Sequence, residues 1–466
     1  MTHSAELLAA LGERLAEVAE RHQVPGVAVG IYWNGEEYYA CHGVTSVENP
    51  LPVTEDTRFQ IGSTGKTFTA TALTHLASIG KVDLDATVRT YLPNFRVADE
   101  ETSARVTVIQ LLNHTAGWDG DFFADTGSGD DAVALFVEKM VELPQVSPLG
   151  TATSYNNAAL SVAGRIIEVV TGLSYERAIK ELVFAPLGLN NSGFHADDAI
   201  THRFAVGHIN GVDSVTVARP WGFPRSGVPA GVNLTSSVRD QIGYARFHLG
   251  TNANAGVSVL SAEERERMQR PSSDATGESF GIGWMLQTVG DARICAHGGT
   301  TFGQLSAFEF APEADFAITV LTNSTNGREV SDALVMWARQ AFAGIHTPQP
   351  TVLPLTSEEL AKYAGVYDRP EQYAEITVEG ERLMMSNILT DAGRAKLAEV
   401  LGAEANWPDD DPPAEIGILE NDEFALIRAS IAPMGSFVRD GAGAITGLDL
   451  GGRLCARRVE TGVDAV

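Results

Sequence analysis

Cysteine is scarce: Cys41, Cys295 and Cys455 are the only three in 466 residues, and they lie far apart. Such spacing offers neither a metal-ligand pair nor a disulfide framework, and it fits a reducing compartment. No His-Glu-x-x-His or other ligand cluster is present, so no metal and no cofactor are expected. No apolar run reaches 18 residues, so no membrane-spanning helix is predicted. Basic residues are few: 33 stand against 60 acids, a formal charge of −27, and only six of the 33 are lysines. A chain this acidic repels phosphate backbones and anionic lipid, so neither nucleic acid nor a membrane is expected as a partner. The excess of acid reads as a compositional habit of the source genome or mild halophily, not as a device for steering a ligand. Met1-Thr2-His3-Ser4-Ala5-Glu6 has no basic start and no continuous apolar stretch, which predicts a cytoplasmic protein.

What is present is an ordinary globular composition, 44% hydrophobic and 20% charged, long enough for two or three domains. Leu7, Leu8, Leu11, Leu15 and Val18 predict an amphipathic helix over 5–22. Val27 to Tyr32 and Tyr38 to Cys41 predict two strands joined by the hairpin turn Asn34-Gly35. A helix is predicted over 63–80, and helices and loops alternate to about 250. A strand block follows at 280–323, with a turn at Pro312-Glu313-Ala314-Asp315, then a helix over 329–343. Strands at both ends with helices between predict an α/β (α+β) fold. It is an antiparallel sheet flanked by helices, with an inserted, mostly helical lobe. This domain is assigned to 1–346 and a Pro-rich linker to 347–354. A second domain, 355–466, opens with a short helix capped at Thr356. It continues as short strands: Ala374 to Val378, Arg382 to Met385, Glu415 to Leu419, Ala425 to Ile431, Gly435 to Arg439 and Arg453 to Val459. Their regular spacing predicts a small all-β barrel or sandwich. Asp409-Asp410-Asp411-Pro412-Pro413 is expected to be a solvated loop.

Ile61-Gly62-Ser63-Thr64-Gly65-Lys66-Thr67 carries the most chemistry. Its end looks like a phosphate-binding loop, but Gln60 stands where that loop needs glycine. The other reading is Ser-x-x-Lys. Ser63 falls where a strand gives way to a helix, so the helix N-terminus favours negative charge on its oxygen. Lys66 lies one turn on and reaches back over Ser63, where a desolvated, neutral amine can take the serine proton. Ser78-Ile79-Gly80-Lys81 also matches, but it sits at the helix end, where Gly80 reads as the stop. Tyr155-Asn156-Asn157 precedes a helix at 158–170; its phenol is a candidate general base or acid, and Asn157 a candidate for holding a substrate carbonyl. Tyr32-Trp33-Asn34 matches the same pattern from within the first hairpin. His297-Gly298-Gly299-Thr300 closes a strand; its glycines allow close backbone approach to a ligand, and the Ser63 and Thr300 N–H groups are candidates for an oxyanion hole. Taken singly, Tyr155 reads as a half-buried turn tyrosine and His297 as a packed histidine.

In this order the three elements resemble the serine β-lactamase and penicillin-binding-protein superfamily, above all its class C-like branch with D-aminopeptidases and esterases. The resemblance spans about 5–345. It extends to Thr57-Arg58-Phe59-Gln60, Leu84-Asp85, Tyr91-Leu92-Pro93, Leu111-Leu112-Asn113-His114-Thr115-Ala116-Gly117 and Pro186-Leu187-Gly188-Leu189. It implies Ser63 as acylated nucleophile, with Lys66 and Tyr155 as the proton-handling pair, the base among them left open. Asn157, Gly299 and Thr300 would bind substrate, and His297 would stand where many members carry Lys. His114 is read as structural. Residues 360–367 resemble the start of a lipocalin-like β-domain found after some of these hydrolases. Such a domain walls the cleft or mediates homodimerisation, and both remain open.

A neutral imidazole binds a substrate carboxylate less well than lysine does, which argues against a β-lactamase or DD-peptidase. The expected activity is hydrolysis of small esters or amides, D-amino-acid amides or peptides among them, with a small molecule or peptide as the partner. Alternatives are a stand-alone thioesterase that cyclises peptides, then a β-lactamase or DD-peptidase, then a non-catalytic scaffold. Trp118, Asp119, Trp221, Phe223 and Arg225 are candidates for lining the pocket, or equally for packing the lobe. Activity is expected to rise between about pH 6 and 8 through His297 or the Lys66–Tyr155 pair. Ser63→Ala is expected to abolish covalent turnover and Ser78→Ala to leave it nearly intact; equal loss in a turnover assay would place the nucleophile at the wrong helix end.

Overall fold

The computed structural model describes residues 3–211, 214–251, 259–277, 279–401, 413–427 and 433–459. They divide into two compact units: 1–152 with 156–347, and 348–466 with the three residues 153–155.

The first unit is built on an antiparallel sheet. Its order is Glu36–Gly43, Gly26–Trp33, Phe316–Thr322, Gln304–Ala311, Ala292–Thr301, Met285–Val289. The two N-terminal strands meet at a tight turn in which Asn34 (φ 48°) and Gly35 (φ 86°) are both left-handed. That conformation favours Asn-Gly and matches the twist of the flanking strands. Gly26–Trp33 then lies against the late strand Phe316–Thr322, with Val27 opposite Thr322 and Trp33 opposite Phe316.

Strand side chains alternate between faces, and here both faces are covered. Val27, Val29 and Ile31 join Phe316, Ile318 and Val320 in one core, under the helices His3–Arg21 and Gly327–Ala343. Leu7, Leu11, Leu15 and Val18 supply the first helix's share of that core, while Leu8 stands 41% exposed outside the stripe. Ala28, Tyr32, Ala317 and Leu321 face the larger core, shared with the inserted helices. Among them are Gly65–Ser78, Asn157–Thr171 and Val238–Leu249. One ion pair crosses the first core: Arg339 Nε donates to Glu309 Oε1 at 2.6 Å, and both side chains are under 10% exposed.

The second unit is a closed barrel of eight strands, each paired antiparallel with the next. The first, Gly365–Asp368, pairs with the last, Arg453–Arg457, which removes both edges. Inward positions follow a period of two: Ala374 and Ile376, Leu383 and Met385, Ile416 and Ile418 fill the interior with Phe424 and Phe437. Thr356 and Glu359 form the expected capping box on Ser357–Leu360. The strand expected at Ala425 to Ile431 runs Glu423–Leu426, and 428–431 lie outside the described residues. So does most of the acidic loop, 409–412. A helix at Asp391–Leu401 and a strand at Ile445–Leu450 were not expected.

Arg339→Met leaves the Glu309 carboxylate buried without its fork. It is expected to destabilise the protein by about 3–5 kcal/mol in denaturant unfolding, and adding Glu309→Leu is expected to restore most of that loss. Restoration by the double variant distinguishes a stranded charge from lost packing.

Candidate active site

Ser63 sits in a single 3₁₀ turn, Gly62–Thr64, that runs directly into the helix Gly65–Ser78. From Thr57 to Thr74 every residue is buried except Ser63, which is half-buried. Lys66, 1% exposed, lies one turn below and donates from Nζ to Ser63 Oγ at 2.9 Å and to the Ala230 carbonyl at 2.7 Å. An amine removed from water needs such partners. Ser78, by contrast, is exposed and donates to the His75 carbonyl at 2.8 Å, as a helix-end serine does.

The turn is clamped onto the strand Ala292–Thr301. Ser306 Oγ donates to the Ile61 carbonyl at 2.7 Å, and Thr64 Oγ1 donates to the His297 carbonyl at 3.1 Å. The approach is so close that side chains are excluded. A Cβ on Gly299 would stand 1.9 Å from the Ile61 oxygen and 2.7 Å from the Ser63 nitrogen. Gly62, at φ 51°, would place a Cβ 2.8 Å from the Thr300 nitrogen. Ser63, Gly299 and Thr300 are thus brought together with main chain facing main chain, the geometry from which backbone N–H groups can receive a developing oxyanion.

His297 follows on the same strand, 1% exposed, with Nδ1 2.7 Å from the Gly298 carbonyl. Burial, with Lys66 nearby, pushes the imidazole from 6.5 down to about 3, while the Gly298 carbonyl pulls the other way. The imidazole is neutral at ordinary pH, which removes His297 from the groups expected to drive a rise in activity near neutrality.

Asn156 caps the helix Asn157–Thr171: its Oδ1 accepts from Ala159 N–H at 2.8 Å, and its own N–H donates to His114 Nδ1 at 3.0 Å. His114 is therefore a buried support for the loop, as expected. Asn157 donates from Nδ2 to Asp121 Oδ1 at 2.8 Å, which orients its amide. Tyr155, one residue before the cap, groups with the second unit. Its N–H donates to the Gly452 carbonyl at 2.7 Å, and the Arg453 guanidinium lies 4.7 Å from its ring centroid.

Two supporting groups were missed from the sequence. The Ala230 carbonyl has no side-chain signature, although Pro229-Ala230-Gly231 marks the turn that presents it. Asp121 is an ordinary loop aspartate until Asn157 is placed beside it. The expected lining needs correction too. Trp118 is fully buried and stacks at a tilt against Phe95, and Asp119 is only 5% exposed. Trp221 offers its carbonyl to Gln60, and Arg225 is bound to Glu176 and Asp130. Phe223 alone of the five lines a small cleft, together with Phe122, Phe136, Asn157 and Ala230.

Residues 9–341 match the family described as Beta-lactamase. The chain belongs to that family of serine hydrolases. Over 370 residues it is 33% identical to Penicillin-binding protein 4 of Amycolatopsis lactamdurans, spanning 77% of this chain and 96% of that protein. Its fold is similar to that of SurE, with a TM-score of 0.75 at 24% identity over 98% of this chain and 100% of the other. It is also similar to the D-amino acid amidase of Ochrobactrum anthropi SV3, with a TM-score of 0.58 at 24% identity over 71% of this chain and 99% of that one. Among the described residues, no single helix is long and apolar enough to cross a membrane, and no group of side chains could hold a metal ion.

His297 titrates far below 6.5, so its neutral form supports the fold above about pH 6.5, and that support is lost as the pH falls toward 3. His297→Asn is expected to change kcat/KM but to leave the midpoint of any rise between about pH 6 and 8 in place. A profile from about pH 5 to 9 checks this; a midpoint that moves in the variant returns His297 to the titrating groups.

Proposed function

We propose that the protein cleaves small esters or amides, D-amino-acid amides or peptides among them, through an acyl-enzyme on Ser63. One observation carries the reading. The only accessible residue in a long buried stretch is a serine hydrogen-bonded to a buried lysine amine at the start of a helix.

Ser63 Oγ attacks the acyl carbon while its proton passes to Lys66 or Tyr155, and the base among the two stays open. The Ser63 and Thr300 N–H groups receive the negative charge on the carbonyl oxygen. The carbon–oxygen or carbon–nitrogen bond then breaks, and the same pair returns the proton to the leaving alkoxide or amine. Water then attacks the acyl carbon and gives a proton to that pair; the bond from the acyl carbon to Ser63 Oγ breaks, the pair returns the proton to Oγ, and the acid leaves. Asn157, oriented by Asp121, holds the substrate carbonyl, and Gly299 lets the substrate backbone lie against the strand. His297, being neutral, offers no fixed positive charge to a substrate carboxylate, which weighs against β-lactams and cell-wall peptides. The partner required is a small-molecule or peptide substrate; nucleic acid and membrane play no part.

The closed barrel supports a second reading. The chain resembles stand-alone thioesterases that combine these motifs with a lipocalin-like domain, and in them an amine instead of water resolves the acyl-enzyme.

Intact-protein mass spectrometry after exposure to p-nitrophenyl acetate, D-alanine p-nitroanilide, nitrocefin and a peptidyl thioester tests both. A transient acyl adduct is expected on the wild type and none on Ser63→Ala. An adduct with the thioester alone, resolved by an amine, would replace hydrolysis with acyl transfer; no adduct with any of the four would leave a narrow-specificity cyclase or a catalytically silent scaffold.

A further inference from the structure

We infer that Thr69 is a positioning residue for the reaction: backed by Tyr175, it fixes the turn Pro229-Ala230-Gly231 and so sets where the Lys66 amine stands against Ser63. The inference rests on the acyl-enzyme reading of Ser63 and adds two buried residues that hold the amine's acceptor in place.

The turn ends a helical segment. Arg225–Ala230 is a 3₁₀ helix closed by Gly231 at φ 99°, whose N–H donates to the Val228 carbonyl at 2.9 Å. The last carbonyls of such a segment, those of Pro229 and Ala230, find no partner within it. The helix Gly65–Ser78 supplies the partners. Lys66 Nζ donates to the Ala230 carbonyl and Thr69 Oγ1 to the Pro229 carbonyl, both at 2.7 Å. Residues three apart share one face of a helix, so neighbouring carbonyls of the turn meet neighbouring positions of that face.

Counting hydrogens fixes the direction of each bond. A threonine hydroxyl has one, and Thr69 gives it to Pro229. The Tyr175 hydroxyl, 2.7 Å from Thr69 Oγ1, is therefore the donor in that pair. The chain runs from Tyr175 through Thr69 to the Pro229 carbonyl, and both side chains are buried. Leaving a buried acceptor unpaired costs about 1–3 kcal/mol, which holds the carbonyl to one orientation. The Pro229 carbonyl belongs to the peptide that joins it to Ala230. Rotating it would swing Ala230, and with it the acceptor of the Lys66 amine.

Packing holds the turn from its other sides. A Cβ on Gly164 would stand 2.3 Å from Pro229 Cγ, and one on Gly231 would stand 2.1 Å from the Gly62 carbonyl oxygen. The second contact ties the turn to the one that carries Ser63. Main-chain packing thus sets where the turn lies, and the Thr69 hydroxyl sets which way its carbonyls face. A matched pair two residues along the same helix does neither. Thr71 Oγ1 and the Tyr244 hydroxyl are 2.7 Å apart and equally buried, but Thr71 faces His248 Nε2 at 3.4 Å and not the turn.

The test is the rate of Ser63 labelling by a fluorophosphonate, followed by intact mass and resolved into a maximal rate and a half-saturating concentration. A displacement of about 1 Å in a reacting group costs on the order of 100-fold. Thr69→Val is expected to lower the maximal rate by about 10-fold or more and to leave the half-saturating concentration unchanged. Thr69→Ser, which keeps the hydroxyl, is expected to recover most of the rate. Thr71→Val strands a tyrosine at the same depth and is expected to label as the wild type does. Should Thr69→Val fail to fold, the double variant Thr69→Val with Tyr175→Phe strands one group fewer and is expected to show the same loss. A valine variant as fast as the wild type, a serine variant as slow as the valine one, or an equal loss in Thr71→Val overturns the role of Thr69 while leaving the nucleophile intact. No labelling of the wild type overturns the Ser63 assignment, and the role of Thr69 falls with it.

Discussion

The arrangement hangs on one main-chain contact. The turn that carries Ser63 lies so tightly on the strand Ala292–Thr301 that a single carbon on Gly299 would collide with the Ile61 carbonyl. Side chains cannot set the distance between two backbones this closely, because they would stand between them. The strand's own place in the six-stranded sheet sets it instead, and Ser306 and Thr64 pin the turn there. The helix Gly65–Ser78 is then aimed by the turn, and Lys66 follows from the helix at its fixed one-turn offset. Serine, amine and strand are consequences of one docking event, not three independent placements.

Burial shapes the electrostatics as strongly as it shapes the geometry. The formal charge of −27 belongs to the chain as a whole, and two basic side chains near Ser63 are buried. Lys66 is enclosed, and His297 is made neutral by the loss of water around it. Neighbouring apolar walls extend the same dry surroundings toward the cleft.

Much of this was legible in the sequence because it depended on local constraints. Asn34-Gly35 announced a hairpin turn, the Ser63-x-x-Lys66 spacing announced one helical turn, and regularly spaced short strand-like runs announced a small barrel or sandwich. What stayed hidden depends on residues far apart in the chain. The protonation of His297 depends on what encloses it. The phenylalanine cleft joins positions near 122 with positions near 223, and Trp118 went to the core although its neighbours suggested the cleft. The strand Ile445–Leu450 escaped notice because a small barrel asks for apolar residues only on its inner face; Ile445 and Leu448 supply it between Thr446, Gly447 and Asp449. The helix Asp391–Leu401 carries only a weak apolar stripe in a region otherwise patterned as strands.

The register that pairs Val27 with Thr322 also sets a clock. At a synthesis rate of about 5–20 residues per second, the strand that covers Gly26–Trp33 emerges roughly 15–60 s after it. Until then Val27, Val29 and Ile31 present an unfinished sheet to the cell, with only their hairpin mate for company. That mate begins with Glu36 and Glu37, both exposed, and in the finished sheet it remains the outermost strand. Adjacent charges on an outer strand discourage a second chain from adding itself there. The same two glutamates protect the nascent hairpin during the wait and the folded edge afterwards.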